Sequence, residues 1–305
     1  MTPAFDDPIF TDVNAAREAL ETIRWPNGPV CVHCGESGAI VRVEGEKKTH
    51  RPGLLYCNDC KGQFTVTVGT VFERSKIPLT KWWLATFLLC SSKKGISAHQ
   101  LHRTLGVTYK TAWFMAHRIR HAMTTKGGLM GSDGGIVEAD ETYFGKTTGQ
   151  GSGGHLAKKE KVVSLVERGG GVRSFHVPNV TIENLKPILE ASIAKDARLM
   201  TDTAGVYQKI GKGFASHETV NHLAKEYARG DVTTNTVEGY FSVLKRGLFG
   251  TYQHCSSEHL HRYLTEFDFR YSNRAKLGVD DTARTINAMK GIEGKRLTYR
   301  RPNQA

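Results

Sequence analysis

The sequence predicts a multidomain α/β protein: a small cysteine-bearing β module, a basic helical module, then a mixed sheet with flanking helices. Three observations predict it. Two CxxC pairs stand 22 residues apart in a Gly-rich, β-prone stretch; residues 76–123 turn helical and basic; and past a glycine-rich break (127–135), strand and helix periodicities alternate to about residue 275. At 305 residues the chain has room for one large domain and one or two small ones. The expected segments are an N-terminal helix (1–27), the cysteine module (28–72), the helical module (76–125), the α/β domain (135–275) and a basic tail (276–305).

The formal net charge of +12 makes a polyanion the first partner to consider. The first ten residues, MTPAFDDPIF, lack a basic start followed by an apolar run, as an export signal would need. The longest apolar run, Trp82 to Cys90, is far too short to cross a bilayer. Four of the six cysteines fall in the two CxxC pairs, which in a reduced compartment points to metal rather than disulfides. The expectation is a cytoplasmic, nucleoid-associated protein with no membrane contact.

The first segment is short and amphipathic, with Val13, Ala16, Leu20 and Ile23 at helical spacing. In the second, Cys31-Val-His-Cys34 and Cys57-Asn-Asp-Cys60 each present two thiolates on one side of an ion. Together they close a tetrahedral zinc shell with no open position. The metal would be structural, in a zinc ribbon. Cys90 and Cys255 read as small apolar side chains.

The stretch from Ser97 to Met123 has the outline of a helix-turn-helix. Ser97 can cap a helix to Leu105, Gly106 supplies the turn, and Thr108 can cap a second helix with the stripe Ala112, Met115, Ala116, Ile119. Its other faces carry Lys110, His117, Arg118 and Arg120, residue types suited to phosphates and base edges in a major groove. Trp82, Trp83, Phe87 and Leu88 would form the small core.

Within the α/β segment, Ile136 to Phe144 reads as a strand with Glu138, Asp140 and Thr142 on one face, a polar face that a metal-lined cleft would explain. Lys161–Glu167 and Val172–Val177 follow as a hairpin, a helix spans about 182–194, and a short strand ends at Asp202. Residues 217–222 add a further strand, and Thr234 or Asn235 opens a helix. On that helix Glu238 and Lys245 lie seven apart, two turns along one face, with Asn235 one turn before Glu238. Three antiparallel strands, a crossover helix and a fourth strand bearing an acid is the order of an RNase H-like sheet. Acids from the first and fourth strands would meet mid-sheet, a third would close over them from the later helix, and two Mg²⁺ ions would suit such oxygen ligands. Lys245 and Arg246 would face the phosphate backbone.

On these residues the chain resembles the ISXO-like insertion-sequence transposases, DDE-type enzymes with an N-terminal zinc ribbon. The resemblance spans about residues 10–275 and rests on CVHC and CNDC, ADETYFGK, TDTAGVY, NTVEGYFSVLKRG and the closing HLHRYLTEFDFRYSNR. It implies hydrolysis at the element's ends, then attack of the freed 3′-hydroxyl on target DNA, by a homo-oligomer on double-stranded DNA. Residue by residue it implies Asp140 as first acid, Asp202 as second, and Glu238 with Lys245 as third acid and following base. Related enzymes carry Asn or Glu at the third position, and this chain offers Asn235 and Glu238 together. Glu238 is preferred as the stronger ligand on the face of Lys245. Mg²⁺, or Mn²⁺ in its place, is the implied cofactor. The competing expectation is a DNA-binding regulator with an inactive RNase H-like domain.

Overall fold

The computed structural model describes residues 6–43, 50–124, 127–145 and 159–298. The chain divides into two compact units, one of residues 1–124 with 281–305 and one of residues 125–280.

In the first unit, α1 (Val13–Arg24) begins where the Asp12 carboxylate accepts from Asn14 N, and it buries Ala16 and Leu20. Val13 stays half exposed, at the start of the stripe. Strands β1 (Ile40–Arg42), β2 (Leu55–Cys57) and β3 (Gln63–Phe64) form a small antiparallel sheet in that order. Helix α2 (Leu79–Ser91) follows Pro78 and buries Trp82, Trp83, Phe87 and Leu89, while Leu88, expected in this core, is only partly buried. Both buried indoles are satisfied: Trp82 Nε1 donates to Ser75 Oγ at 3.1 Å and Trp83 Nε1 to Ala16 O at 2.9 Å.

Helices α3 (Ala98–Leu105) and α4 (Tyr109–Ala122) carry the expected caps. Ser97 Oγ accepts from Gln100 N, Thr108 Oγ1 accepts from Thr111 N, and Gly106 turns the chain in the left-handed region at φ +58°. The stretch 276–305, expected as one basic tail, holds helix α9 (Asp281–Lys290), which packs on α1, α2 and α4. Buried Ala288, Met289 and Ile292 supply the apolar face that an expectation based on charge overlooked. The last seven residues of RLTYRRPNQA lie outside the described residues.

The second unit is built on a five-stranded sheet, order β6-β5-β4-β7-β8. Its strands are β4 (Ile136–Phe144), β5 (Glu160–Glu167), β6 (Val172–Val177), β7 (Arg198–Asp202) and β8 (Ser216–Val220). The β4–β5 and β5–β6 pairs are antiparallel; β4–β7 and β7–β8 are parallel. Period-two alternation serves both faces. One face, with Val137, Ala139, Val163, Leu165 and Leu199, packs on α5 (Ile182–Ser192) and α6 (Gly205–Ile210). The other, with Phe144, Val162, Val166 and Val172, packs on α7 (Asn235–Gly247) and α8 (Ser257–Ser272). Fully burying a Leu or Val of this kind contributes about 1.5–3 kcal/mol. A two-stranded ribbon, β9 (Ala228–Arg229) and β10 (Val232–Thr233), leads into α7.

The glycine-rich break is tied to the sheet rather than free. Met130 is buried and exchanges backbone hydrogen bonds with Ser192 and Ala194, and Gly131 N donates to Glu167 Oε1 at 2.7 Å. Gly131 sits at φ +73°, and a Cβ there would fall 2.7 Å from both Ala197 Cβ and Val137 Cγ2, so no side chain fits.

Candidate metal centres and basic helix

The four CxxC cysteines converge. Cys31, Cys34, Cys57 and Cys60 place their sulfurs within 4.8 Å of one another, with Cys31–Cys60 at 3.6 Å and Cys34–Cys57 at 3.7 Å. Four thiolates about 2.3 Å from a tetrahedral zinc stand about 3.8 Å apart, so these cysteines fit a structural Zn²⁺. β2 carries Cys57 and pairs it with Ile40, which fixes the second knuckle against the first strand. His33 is turned away, its Nε2 3.3 Å from Gln63 O.

Asp140 on β4 and Asp202 at the end of β7 are near enough for their charges to interact, while among the described residues the four cysteines form the one converged group of three or more metal-ligating side chains. Glu138 on β4 pairs with Met200 on the parallel strand β7, where that pairing ends; Asp140 and Asp202 lie two residues further along each strand. Asp140 Oδ1 accepts from Glu141 N at 2.8 Å; Asp202 Oδ1 accepts from Ala204 N at 3.0 Å. Burial pushes the Asp140 carboxyl up to about 7, and the nearby negative charges of Glu141, Asp202 and Glu238 push the same way. Glu238 is thus close enough for its charge to be felt at Asp140.

Glu238 lies in the first turn of α7 with its carboxylate about half exposed. Thr234 Oγ1 donates to its Oε1 at 2.9 Å, and His222 Nε2 lies 3.4 Å from the same oxygen and 3.2 Å from the Thr234 hydroxyl. Asn235, beside it, is exposed, and its backbone N donates to Thr233 Oγ1. Lys245 and Arg246 are exposed on the last turn of the same helix.

Glu138 has a different role from the metal-lining one its parity suggested. Its side chain is fully buried and accepts from Thr236 N (2.7 Å), Val237 N (3.0 Å) and Thr236 Oγ1 (2.8 Å) at the start of α7. Arg168 Nε donates to it at 2.6 Å, while the same guanidinium reaches Asp231 O and Thr233 O in the turn and strand before α7. Thr234 makes no side-chain cap; Glu138, 98 residues before Thr236, caps the helix instead. Every donor needed to hold this carboxylate is protein, which removes it from the set available to a cation.

Glu141 went unremarked in the sequence because its odd position puts it on the opposite face of β4. There it is raised by burial and by Asp202, and it is held by the hydroxyl of fully buried Tyr207 at 2.8 Å. An acid beside Asp140 was visible in the sequence; its aromatic partner, 66 residues away, was not.

The basic residues expected along α4 divide. Lys110 is exposed. His117 (0 % exposed) and Arg120 (2 %) are buried, which corrects their expected contact with DNA. Arg118 is half-buried, donates to Glu73 O and Leu297 O, and stacks on Phe114 at 4.8 Å. The reason is that α2, α3 and α9 all pack on α4, where a single apolar stripe implied one covered side. No described helix is long and apolar enough to cross a membrane.

Comparison with known proteins agrees with this architecture. Residues 133–272 match the ISXO2-like transposase domain, and residues 12–63 match the transposase zinc-ribbon domain. An uncharacterized protein in transposable element ISH50 of Halobacterium salinarum is 30 % identical over 282 residues, covering 86 % of this chain and 92 % of that protein. An uncharacterized transposase-like protein of Haemophilus influenzae is 29 % identical over 97 residues, 32 % of this chain and 77 % of the other. With 92 % of the halobacterial protein matched at 30 % identity, and a transposase zinc ribbon followed by an ISXO2-like transposase domain in this chain, the chain belongs to the ISXO2-like family of insertion-sequence transposases.

Proposed function

We propose that the chain is a DNA transposase that binds the ends of its own element as double-stranded DNA and catalyses strand cleavage and strand transfer. The observation that carries this reading is the set of three acids, Asp140 and Asp202 on neighbouring parallel strands and Glu238 from α7. Strand order β6-β5-β4-β7-β8, with helices on both faces, supports an RNase H-like catalytic domain.

The donor set is all oxygen and acidic, which suits Mg²⁺, with Mn²⁺ as the alternative. Two such ions, when bound, would supply activation of the attacking oxygen and stabilisation of the leaving oxygen of an in-line displacement. Asp140, Asp202 and Glu238 are the ligands in this reading, with Asn235 as an adjoining oxygen donor. His222 and Thr234 hold the Glu238 carboxylate, and Lys245 and Arg246 meet the DNA backbone beyond it. The zinc ribbon and the α3–α4 helix-turn-helix bind the ends, in a homo-oligomer working in the cytoplasm on the nucleoid.

Incubating the protein with duplexes of its own flanking ends and Mg²⁺, and resolving strand-transfer products on a gel, tests the reading. Asp140→Asn and Asp202→Asn should each abolish cleavage while end binding persists. Full activity in either variant removes the assignment. A DNA-binding regulator with an inactive α/β domain is the second reading; the intact acid set stands against it, and absence of any cleavage by the wild type would favour it.

A further inference from the structure

Between Glu73 and Asp133 the chain has no aspartate or glutamate, although 30 acids in 305 residues would place about six there. The same stretch holds ten lysines and arginines and four histidines. Part of that charge is committed internally, through Arg118 and buried Arg120. What stays exposed includes Lys93 and Lys94 just before α3, Arg103 near its end, and Lys110 in the first turn of α4.

At the same junction an aromatic cluster faces solvent. The His99 and Tyr109 rings stack at 4.3 Å and 28°, and His102 meets them edge-on at 5.9 Å and 6.4 Å respectively. His99 and Tyr109 are both exposed, so the stack is not core packing. It holds the Tyr109 ring in one place at the amino end of α4, where Thr108 caps the helix and Lys110 follows. A fixed ring loses less entropy on binding than a free one.

We propose that this junction is the surface with which the chain reads double-stranded DNA. Tyr109 and Lys110 meet base edges in the major groove, His99 and His102 hold the Tyr109 ring, and Lys93, Lys94 and Arg103 contact phosphates. The complementary charge of an acid-free segment selects a polyanion, and a capped helix projecting its first turn has the shape that enters a major groove. The carboxyl half of α4 is excluded, because Ala116, His117, Ile119, Arg120 and Ala122 there are buried. This deepens the proposed end binding and rests on it.

The test is fluorescence anisotropy with a labelled duplex of the element's own end and a scrambled duplex of equal composition, across a salt series. Tyr109→Ala and Lys110→Ala should each lose ~5–150-fold affinity for the own-end duplex and hold the scrambled one nearly unchanged. His99→Ala should fall between, with His99→Phe restoring it. The double variant Lys93→Ala/Lys94→Ala should weaken both duplexes and flatten the salt slope by about 2. Wild-type zinc content and thermal midpoint in each variant confirm folding; His99→Phe serves if an alanine variant fails that check. Tyr109→Ala and Lys110→Ala binding like wild type, or losing both duplexes equally, overturns the proposal. A wild type that shows no preference for its own ends overturns the end-binding reading instead.

Discussion

Replacing Asp140 by asparagine should make the magnesium-free protein more stable while destroying its activity. The carboxyl titrates near 3.8 when exposed and about 7 in the fold, raised first by burial and then by the acids around it. A raised carboxylate pKa leaves the native state unpenalised below about pH 4. The penalty grows as pH rises through the window to 7 and is fully present above it. At about 1.36 kcal/mol per tenfold, the gap sets a ceiling of ~4 kcal/mol at pH 8 and about half that at pH 5.5. Asparagine removes the charge, keeps an oxygen for the Glu141 N–H, and offers its amide to the neighbouring carboxylates, at some desolvation cost of its own. A net gain of about 2–4 kcal/mol in a unit of this size corresponds to a midpoint roughly 5–15 °C higher. Scanning calorimetry in magnesium-free buffer at pH 8 and pH 5.5, repeated with Mg²⁺, reads it directly. Wild type should gain stability from Mg²⁺ and the variant should not. An Asp140→Asn protein that melts below wild type at pH 8 without Mg²⁺, or gains equally from the ion, refutes the crowded-acid account.

Cys34→Ser should cost the protein its zinc, measured by metal analysis, and weaken binding to element ends; full zinc content with normal binding would refute the ribbon assignment. Glu138→Ala should destabilise by ~3–5 kcal/mol in urea unfolding, because it strands the Arg168 guanidinium and the first amides of α7. A loss below about 1 kcal/mol would show that this cap is not what seats α7. His222→Ala and Thr234→Val should each raise the Mg²⁺ concentration for half-maximal cleavage several-fold, since both hold Glu238 Oε1. An unchanged magnesium titration in both variants would detach them from the site.

Much of the architecture was readable one segment at a time. The strands from 136 to 220, the helices after them and the caps at Ser97 and Thr108 follow from period, branching and side-chain oxygens placed before apolar runs. Less of the site was readable. Glu138 and Asp140 share a face of β4, and nothing local distinguishes an acid that seats a helix from one that faces other acids. His117 and Arg120 looked like a solvent face because the helix that covers part of α4 comes from beyond residue 280.

The sequence alone therefore determined the zinc knuckles, the order of the elements and the family, because ligand spacing and backbone periodicity are carried by neighbours in the chain. Tertiary structure alone decided which acids feel one another's charge, which one is consumed as a cap, and which basic residues remain on the surface. Burial and charge repulsion are set by groups from distant segments, and only folding brings those groups within reach.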